Sequence, residues 1–283
     1  MEDSTLGTVN VAKLDQYGLL QAAGADARAF LHAQLTNDIE NLSPGHARYA
    51  GWCSAKGRLL ATFLVIPFGG GFLLQLARDL VPSVVKRLSM FILRSKVAIT
   101  DVTEQWHQFG VWGEPPLAGD LQVREEPGKI TVRVDAQRAL VLSSQPMTAA
   151  ASAADWTLAE VRAGRVLITQ ATQDQFVPQM VNLELAGGVD FRKGCYPGQE
   201  IVARAQYRGA VKRRLYRLRG APLEPGQDLY TDESPDQATG TVINAAGGES
   251  LAVLPVAAAE ARSAVRARPQ SAALELLPLP YSQ

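Results

Sequence analysis

Short apolar runs separated by polar turns fill the first part of the chain and predict alternating strands and helices. Residues 19–23 are a predicted strand, and the apolar positions that follow recur at helical spacing, with Asp26 as the expected N-cap. The apolar positions of this helix are Ala27, Phe30, Leu31 and Leu35, and it ends at residues 36–38. The pattern therefore predicts a strand followed by an amphipathic helix.

Residues 49–67 predict a β-hairpin whose turn is 54–58, where Gly57 supplies the permissive backbone. Residues 72–77 are a third predicted strand. Pro82 begins a helix with one apolar face, and residues 96–102 return as a strand. The apolar face consists of Val81, Val84, Val85, Leu88, Phe91 and Ile92. This order predicts a compact sheet with a helix on one face.

The middle of the chain is less regular. Residues 109–112, 130–134 and 139–142 are predicted strands, and residues 113–129 are predicted to be mostly loop because of their Pro and Gly residues. An Ala-rich helix over 149–163 contains Trp156, and residues 172–179 form a polar loop. From Val211 onward, the candidate strands are 215–218, 241–244, 251–256 and 264–267. Short strands at this spacing predict a small barrel or sandwich.

Composition limits the class of protein. The chain has 283 residues with 28 basic and 28 acidic side chains, so its formal charge is zero. This length predicts two or three lobes, and a hydrophobic content of 47% is enough to form cores. No apolar run is long enough to span a membrane, and residues 1–5 lack the features of a signal peptide. Zero net charge argues against a general nucleic-acid-binding protein.

Cysteine and histidine usage points to no metal site. Cys53 and Cys195 do not make a disulfide framework, and a reducing, cytoplasmic setting is expected. The three histidines, His32, His46 and His107, are far apart and show no paired spacing. One cysteine cannot hold an iron–sulfur cluster, which generally needs four thiolates.

Residues 190–209 predict a loop that leads into a helix. Cys195 lies just ahead of the helix start, next to Arg192 and Lys193, and these features favour thiolate over thiol. The alternative is that Cys195 is a small buried hydrophobic residue. Pro197 is expected in the first turn, and Gly209 offers a left-handed stop. The charged residues of the helix, Glu200, Arg204 and Arg208, follow at spacings of four.

Residues 193–200, Lys-Gly-Cys-Tyr-Pro-Gly-Gln-Glu, resemble the Lys-Gly-Cys-Tyr-x-Gly-Gln-Glu motif of the YgfZ family. These proteins are folate-binding relatives of the glycine-cleavage T-protein, an aminomethyltransferase, and they support iron–sulfur protein maturation and some tRNA modifications. The resemblance continues through residues 177–179, Asn182 and 187–188 before the motif and through 208–209 after it. Residues 34–38 resemble the Gln-Leu-Thr-Asn-Asp segment of T-protein relatives, and residues 277–282 resemble the YgfZ terminus. The resemblance thus runs from about Leu14 to Tyr281.

The resemblance implies an α+β, T-protein-like fold with two α+β lobes and a C-terminal β-barrel around a central hole. The implied folate-binding region is 1–208, and the implied barrel is 209–283. Within the folate-binding region, lobe 1 is expected at about 1–48 and 107–208, and lobe 2 at about 49–106.

The same resemblance implies the site residues and the ligand. Tetrahydrofolate, or a folate derivative, is the expected cofactor, with Tyr17 and Trp156 at positions where family members place aromatic rings near folate. Cys195 is the implied functional thiol, and Lys193 is grouped with it as a catalytic candidate. The further implied folate-binding residues are Gln179, Asn182, Tyr196, Gln199, Glu200, Arg204 and Arg208.

Two departures from the T-protein pattern concern chemistry. T-protein enzymes carry an aspartate after the first hairpin turn, whereas residues 58–63 contain no acid here, so aminomethyl transfer by that mechanism is doubtful. Relatives have Glu-Ala-Gly at a pterin contact, whereas this chain has Arg162 in place of the glutamate. Because arginine has only donors, folate binding is either weaker or relies on a polar anchor elsewhere.

A local basic bias follows the motif. No acid lies between Glu200 and Glu224, and a folate glutamate tail or RNA phosphates would suit such a patch, although a solvated strand face is equally compatible. The cations are Arg204, Arg208, Lys212, Arg213, Arg214, Arg217 and Arg219. No aromatic-rich platform for single strands is visible beside them, so no direct nucleic-acid binding is expected.

The favoured hypothesis is a tetrahydrofolate-binding accessory protein for iron–sulfur cluster assembly or repair that affects enzymes such as tRNA-modifying enzymes. Its expected partners are folate and iron–sulfur assembly proteins or client enzymes, with no membrane. The alternatives are a folate-dependent aminomethyl or one-carbon transferase and an interaction module with a vestigial folate site.

Overall fold

The structure is a computed structural model that describes residues 10–113, 115–209 and 211–281. Residues 1–5, on which the signal-peptide expectation was based, lie outside the described residues, as does Ser282 of the C-terminal resemblance. The first elements are β1 (Asn10–Lys13), β2 (Tyr17–Ala23), α1 (Ala27–Gln34), β3 (Arg48–Cys53), β4 (Leu59–Phe68), β5 (Gly71–Ala77), α2 (Val81–Ser89), β6 (Ala98–Asp101) and β7 (His107–Trp112). They are followed by β8 (Val123–Glu126), β9 (Lys129–Asp135), β10 (Arg138–Ser143), α3 (Ala153–Arg162) and α4 (Gln199–Tyr207). The last elements are β11 (Arg213–Arg219), β12 (Asp228–Thr231), β13 (Gly240–Ala246), β14 (Glu249–Pro255), α5 (Val256–Glu260), β15 (Val265–Arg266) and β16 (Ala273–Leu277).

Two five-stranded sheets and a closed barrel organise these strands. The first sheet has the order β3-β4-β5-β2-β6, and the second has the order β1-β7-β10-β9-β8. The barrel is closed by β11-β14-β13-β12-β15-β16. The α+β class and the C-terminal barrel predicted from the sequence are therefore confirmed.

The lobe boundaries stay a prediction, but the strand pairing is informative about them. β2 pairs with β5 and β6 in the first sheet, whereas β1 pairs with β7 in the second. The chain therefore leaves the second sheet after Lys13 and returns to it only at His107. Residues 17–23, which were expected in lobe 1, are therefore hydrogen-bonded to strands of the expected lobe 2.

The core of the first sheet is almost entirely apolar. β4 and β5 are buried along nearly their whole length, as expected for central strands covered on both faces. The helices α1 and α2 contribute Leu31 and Val84 to the same core cluster. Barrel residues Leu215 and Ile243 join this cluster, so the barrel is packed directly against the core of the first sheet.

Several helix ends differ from the sequence expectation. Asp26 makes no capping bond to α1, because its carboxylate accepts a hydrogen bond from the Lys96 amide instead. α2 ends at Ser89, and Phe91 is 45% exposed rather than part of the buried face. α3 begins at Ala153 because Ser152 forms a capping box with Asp155.

The motif helix also differs in its ends. Pro197 precedes the N-cap, which is Gly198, and the C-cap is Arg208 rather than a left-handed Gly209. Gly198 takes a positive φ of 78°, so the chain turns at this glycine and not at the proline.

The sequence interpretation missed four of the described strands, which are β1, β8, β12 and β16; β1 is only four residues long. The expected loop at 113–129 contains β8, a charged strand that pairs only with β9 at the sheet edge. Edge strands of this kind carry charge and lack the apolar alternation that identifies a strand. The barrel strands β12 and β16 are four and five residues long, too short to show a period.

Candidate functional site

A cavity of about 50 Å³ lies between the first sheet, α3 and the chain segment that follows α3. Tyr17 and Trp156 both line it, so the structure brings these two predicted aromatic residues together. The polar groups around them come from Tyr49, Thr62, Gln75, Glu160 and Arg165. The cavity is therefore an aromatic space with several hydrogen-bonding groups on its wall.

Trp156 is held by neighbours that leave its ring little freedom. Its ring packs on Gly110, where an added Cβ atom would stand 2.1 Å from the ring. The Trp112 ring meets it edge-on at 5.5 Å, and the Arg138 guanidinium lies 4.9 Å from its centroid. The indole thus forms a fixed wall, stabilised by a cation–π contact.

A partly buried cluster of two arginines and two acids lies at the wall of the cavity. Glu160 accepts from Arg138 at 2.8 Å and from Arg165 at 3.1 Å. Asp135 accepts from the same two arginines, at 2.6 Å and 2.9 Å. The cluster is electrically balanced, which offsets the cost of removing its four ionised groups from most of their water.

The two phenols of the cavity are hydrogen-bond donors at neutral pH. Burial raises the pKa of Tyr49 to about 12. Burial and the negative charge of Glu160 raise the pKa of Tyr17 well above its usual range. Both hydroxyls therefore keep their protons, whereas the Glu160 carboxylate accepts.

Arg162 does not point into this cavity. Its guanidinium donates to Glu249 of β14 at 2.9 Å and 3.2 Å, and its side chain is 55% exposed. Glu249 also accepts from Arg217 of the neighbouring barrel strand β11 at 2.8 Å. Arg162 thus acts as a bridge between α3 and the barrel, and the cavity's carboxylate is Glu160, one half-turn earlier on α3.

The strand that carries an aspartate in T-protein enzymes has no acid here. In β4, Leu59, Leu60, Ala61 and Phe63 are buried in the core. The polar exception is Thr62, whose hydroxyl donates to Val166 O and accepts from Ile168 N. This hydroxyl connects two backbone groups of the segment after α3.

The lining residues fit a pterin ring in chemistry but not in volume. Flat aromatic walls and a carboxylate beside phenol donors suit a heterocycle with amino and carbonyl groups. A cavity of about 50 Å³ is, however, well below the range of about 300–1,000 Å³ usual for small-molecule sites. A folate therefore enters only if lining side chains such as the half-buried Tyr49 move.

The motif loop is anchored through Lys193. Its ammonium donates to the carbonyl oxygens of His32 and of Leu35, the latter at 2.7 Å. These carbonyls belong to the C-terminal end of α1, where a cation is favourable. Burial lowers the pKa of Lys193 to about 8, and the ammonium lies 4.8 Å from the centroid of the Tyr196 ring. Lys193 therefore points into the protein and holds the loop to α1.

Gly198 joins the motif to the β3–β4 hairpin. An added Cβ atom would stand 2.4 Å from Ser54 O and 2.6 Å from Gly57 Cα. No side chain fits at that distance, so the glycine permits direct backbone contact between the motif and the hairpin turn. Tyr196 is buried beneath the loop, and burial raises its pKa above the usual range.

Gln179 and Asn182 are fully buried and bind protein backbone. Gln179 donates to Val202 O of α4 at 2.8 Å, and Asn182 donates to Leu215 O of β11 at 3.1 Å. Neither residue lines the Tyr17–Trp156 cavity. Their visible role is to position α4 and the first barrel strand.

The remaining predicted folate residues lie on α4. Gln199 begins the helix, and Glu200 pairs with Arg204 at 3.3 Å on its exposed face. Arg208 is also exposed. Gln199, Glu200, Arg204 and Arg208 are absent from the wall of the Tyr17–Trp156 cavity. They stay predicted folate residues without a contact to that space.

The basic run after the motif does not form one patch. Arg214 pairs with Glu184 at 2.6 Å, Arg217 with Glu249 and Arg219 with Glu275 at 3.2 Å. Because the three partners come from distant parts of the chain, the run appeared unneutralised in the sequence. Arg204, Arg208 and Lys212 are the exposed cations that lie before β11.

The two cysteines lie in opposite environments. Cys53 is buried, and burial, aided by the charge of Asp174, raises its pKa to about 12. Cys195 is exposed in the motif loop. The alternative that Cys195 is a buried hydrophobic residue is therefore wrong.

Sequence reasoning missed Tyr49, Glu160 and Arg165 as cavity residues. One signal for Glu160 was available, because it follows Trp156 by four residues and thus shares a face of α3. Tyr49 and Arg165 had no such signal, since they meet Trp156 only through the packing of the sheet against α3.

Across 10–113, 115–209 and 211–281, no group of three or more His, Cys, Asp or Glu side chains could hold a metal ion. In the same part of the chain, no helix is long and apolar enough to cross a membrane.

Comparisons with known proteins place this geometry in a family. Residues 4–121 match the model of the GCVT N-terminal domain. The chain is 31% identical to the tRNA-modifying protein YgfZ of Klebsiella pneumoniae (strain 342) over 95% of this chain and 92% of that protein. It belongs to the YgfZ family.

Other relatives agree with this assignment. The tRNA-modifying protein YgfZ of Escherichia coli O7:K1 is 30% identical, again over 95% of this chain and 92% of that protein. An uncharacterized protein of Haemophilus influenzae is 33% identical over 72% of this chain and 71% of its own length. The predicted resemblance to the YgfZ family is therefore confirmed.

The fold is also that of a solved structure. The glycine cleavage system aminomethyltransferase T of Bartonella henselae superposes with a TM-score of 0.72 at 15% identity, over 96% of this chain and 86% of that one. This YgfZ-family chain therefore has the α+β T-protein fold. At 15% identity the likeness shows the fold and not the activity.

Proposed function

We propose that this chain is a YgfZ-type accessory protein that binds a reduced folate and supports iron–sulfur enzymes, including tRNA-modifying enzymes. The observation that carries the proposal is the meeting of Tyr17, Trp156 and Glu160 around one cavity of a T-protein fold. Family membership and the relatives' name as tRNA-modifying proteins support the second half of the proposal.

In the proposed folate site, the pterin ring lies against Trp156 and Tyr17. Glu160 accepts from its amino and N–H groups, which replaces the carboxylate that relatives carry where this chain has Arg162. Tyr49 and Gln75 supply further polar contacts from the sheet. Opening of the cavity by the Tyr49 side chain precedes binding.

In the proposed client-facing site, Cys195 is the functional thiol. It is exposed in a loop held rigidly by Lys193 and Gly198, so its position is defined although its side chain is accessible. Because a single thiolate does not make a cluster site, the other ligands of any cluster come from a partner protein or a small thiol.

Two alternative functions differ in their requirements. A folate-dependent aminomethyl transferase needs a carboxylate near the reacting carbon, and β4 has none in the described structure. An interaction module with a vestigial folate site is favoured by the small cavity volume and by the engagement of Arg162 with Glu249.

A titration with tetrahydrofolate tests the folate site. We expect binding heat by calorimetry and quenching of tryptophan fluorescence, and we expect Trp156→Ala to weaken binding at least about tenfold because a stacking wall is lost. Trp106→Phe is the matched control, since Trp106 packs on Phe68 away from the cavity wall. Absence of heat and of quenching in the wild type would support the vestigial module.

Rescue of a strain that lacks the gene tests the thiol. We expect wild type and Cys53→Ala to restore iron–sulfur enzyme activity and Cys195→Ala to fail while accumulating to the same level. Full rescue by Cys195→Ala would sink the proposed role of the thiol. In a separate assay, tetrahydrofolate-dependent turnover of the aminomethyl carrier would favour the transferase over the accessory protein.

A further inference from the structure

The fold brings two aromatic rings together on the surface next to the Cys195 loop. Phe191 comes from the start of this loop, and Tyr207 is the last residue of α4. Their ring centroids are 5.9 Å apart with an interplanar angle of 71°. Tyr207 is 69% exposed, which is a high exposure for an aromatic residue.

Each ring borders an open cleft. Phe191 lines a cleft of about 540 Å³ together with Asn37, Arg48 and Arg192. Tyr207 lines a cleft of about 220 Å³ together with Arg204 and Arg208. The aromatic pair thus separates two concave surfaces, each of which carries two arginines.

The charge of this surface is positive. Its four arginines face two acids of the cleft walls, Asp190 and Glu200. Glu200 neutralises only Arg204, at 3.3 Å, and Arg48 donates to Asp38 O. Within the described residues, Arg192 and Arg208 form no ion pair. Their guanidinium groups are therefore available to an anionic ligand.

We propose that this surface binds unpaired bases and phosphates of a single-stranded nucleic acid. Exposed aromatic rings stack on bases of any identity, and arginine both stacks and pairs with phosphate. A duplex offers no free base faces, so the proposal is specific for single strands. The surface shares no residue with the Tyr17–Trp156 cavity, although Arg204 and Arg208 are also predicted folate residues. The proposal does not depend on folate binding.

The sequence concealed this arrangement. Phe191 and Tyr207 are sixteen positions apart, and Arg48 lies in β3, so no aromatic platform was visible beside the cations. The expectation of no direct nucleic-acid binding followed from that absence. Folding of α4 back along the motif loop creates the platform.

The proposal is tested by the fluorescence anisotropy of labelled strands titrated with the full chain. The strands have ~12 nucleotides, a length within the usual range of single-strand sites. RNA and DNA strands of the same sequence are measured in parallel, beside a blunt-ended duplex of the RNA strand with its complement. We expect the single strands to bind more tightly than the duplex. Comparison of the affinities for RNA and for DNA shows which of the two nucleic acids the surface prefers.

Two sets of variants separate stacking from charge. We expect Tyr207→Ala to weaken single-strand binding about tenfold and Tyr207→Phe to leave it nearly unchanged, because the ring is retained. We expect Arg192→Ala/Arg208→Ala to lower the slope of log K against log salt by about 1.4, as two phosphate contacts are lost. Lys86→Ala/Arg94→Ala, which removes two exposed cations near α2, is the matched control and should leave both quantities unchanged.

Three outcomes would overturn the proposal. The first is no anisotropy change at ~100 µM protein at physiological salt, where even non-specific binding is measurable. The second is equal affinity for the duplex and the single strands, and the third is an unchanged affinity in Tyr207→Ala. Loss of binding in the Lys86→Ala/Arg94→Ala control to the same degree as in Arg192→Ala/Arg208→Ala would show that net charge alone explains the interaction. An acidic protein partner is indicated if nucleic acid fails to bind.

Discussion

The Tyr17–Trp156 cavity and the Cys195 loop carry the two halves of the proposed function, and they are built in opposite ways. The cavity is partly enclosed, with its aromatic wall packed on Gly110 and its charges balanced among Arg138, Arg165 and two acids. The loop is open, and its thiol and nearby arginines are exposed.

The difference shows where order is created in each region. In the cavity, the functional groups themselves are buried and held. In the loop, Lys193 is bound to α1 and Gly198 packs on the β3–β4 turn. The Cys195 thiol between them extends into solvent. A small ligand is best recognised by a buried, preorganised wall, whereas a macromolecule needs accessible groups on a rigid support.

The largest expected difference between the two regions is in stability, and Glu160→Ala tests it. This substitution leaves Arg138 and Arg165 buried with one acid fewer, and we expect a loss of about 3–5 kcal/mol in the free energy of unfolding. Urea unfolding followed by circular dichroism measures it. Glu200→Ala, which removes an exposed carboxylate of α4, is the control and should change the unfolding free energy very little. Equal losses in the two variants would mean that the cavity is no more ordered than the loop surface.

An intermediate effect is expected in cysteine reactivity. In single-cysteine variants, Cys195 should react with iodoacetamide roughly 100-fold faster than Cys53 at neutral pH, because Cys53 reacts only through local opening and its pKa is raised to about 12. Rates followed by mass spectrometry decide this. Similar rates would show that the β3 strand opens readily. The distinction between an ordered cavity region and an open loop would then be wrong.

The smallest effect concerns the pH dependence of the loop anchor. Lys193 has a pKa lowered to about 8, so between about pH 8 and 10 the unfolded chain, in which lysine titrates near 10.4, binds more protons than the folded one. In that window the Lys193 contribution makes the free energy of unfolding rise with pH, by the order of 1 kcal/mol. Buried Cys53, whose folded pKa is raised, acts in the opposite direction over the same window.

The test is therefore a difference between two proteins. The unfolding free energy of wild type minus that of Lys193→Met should rise from pH 8 to pH 10, since Cys53 is present in both. A difference that is flat or falls with pH would indicate that the two carbonyl contacts keep Lys193 charged throughout, and that the anchor is a plain ion–dipole contact.

Part of the candidate site was readable from residue types alone. The motif at 193–200 and the helix after it were predicted because Gly, Cys and Pro at fixed spacing restrict the backbone locally. Trp156 and Tyr17 were predicted as a pair by resemblance, and the cavity contains both. Glu160 could have been added, because the helical period places it on the face of Trp156.

Other features of the site could not be read from local sequence. The basic run at 204–219 looked unpaired, although Glu184, Glu249 and Glu275 neutralise three of its arginines. Arg162 looked like a defect in the folate site, although it joins α3 to β14. Partners of this kind are separated by tens of residues and leave no periodic signal.

The sequence by itself determined the family, the α+β class, the C-terminal barrel, most strands and the motif loop, because these depend on short-range periodicity, turn residues and an extended resemblance. Only the tertiary structure decided that β2 crosses into the first sheet, that Lys193 points inward to α1, and that Phe191 meets Tyr207 beside four arginines. Those outcomes depend on which distant surfaces pack together and which charges then lose water. Packing and charge desolvation of this kind are decided by the folding of the whole chain and not by any one segment.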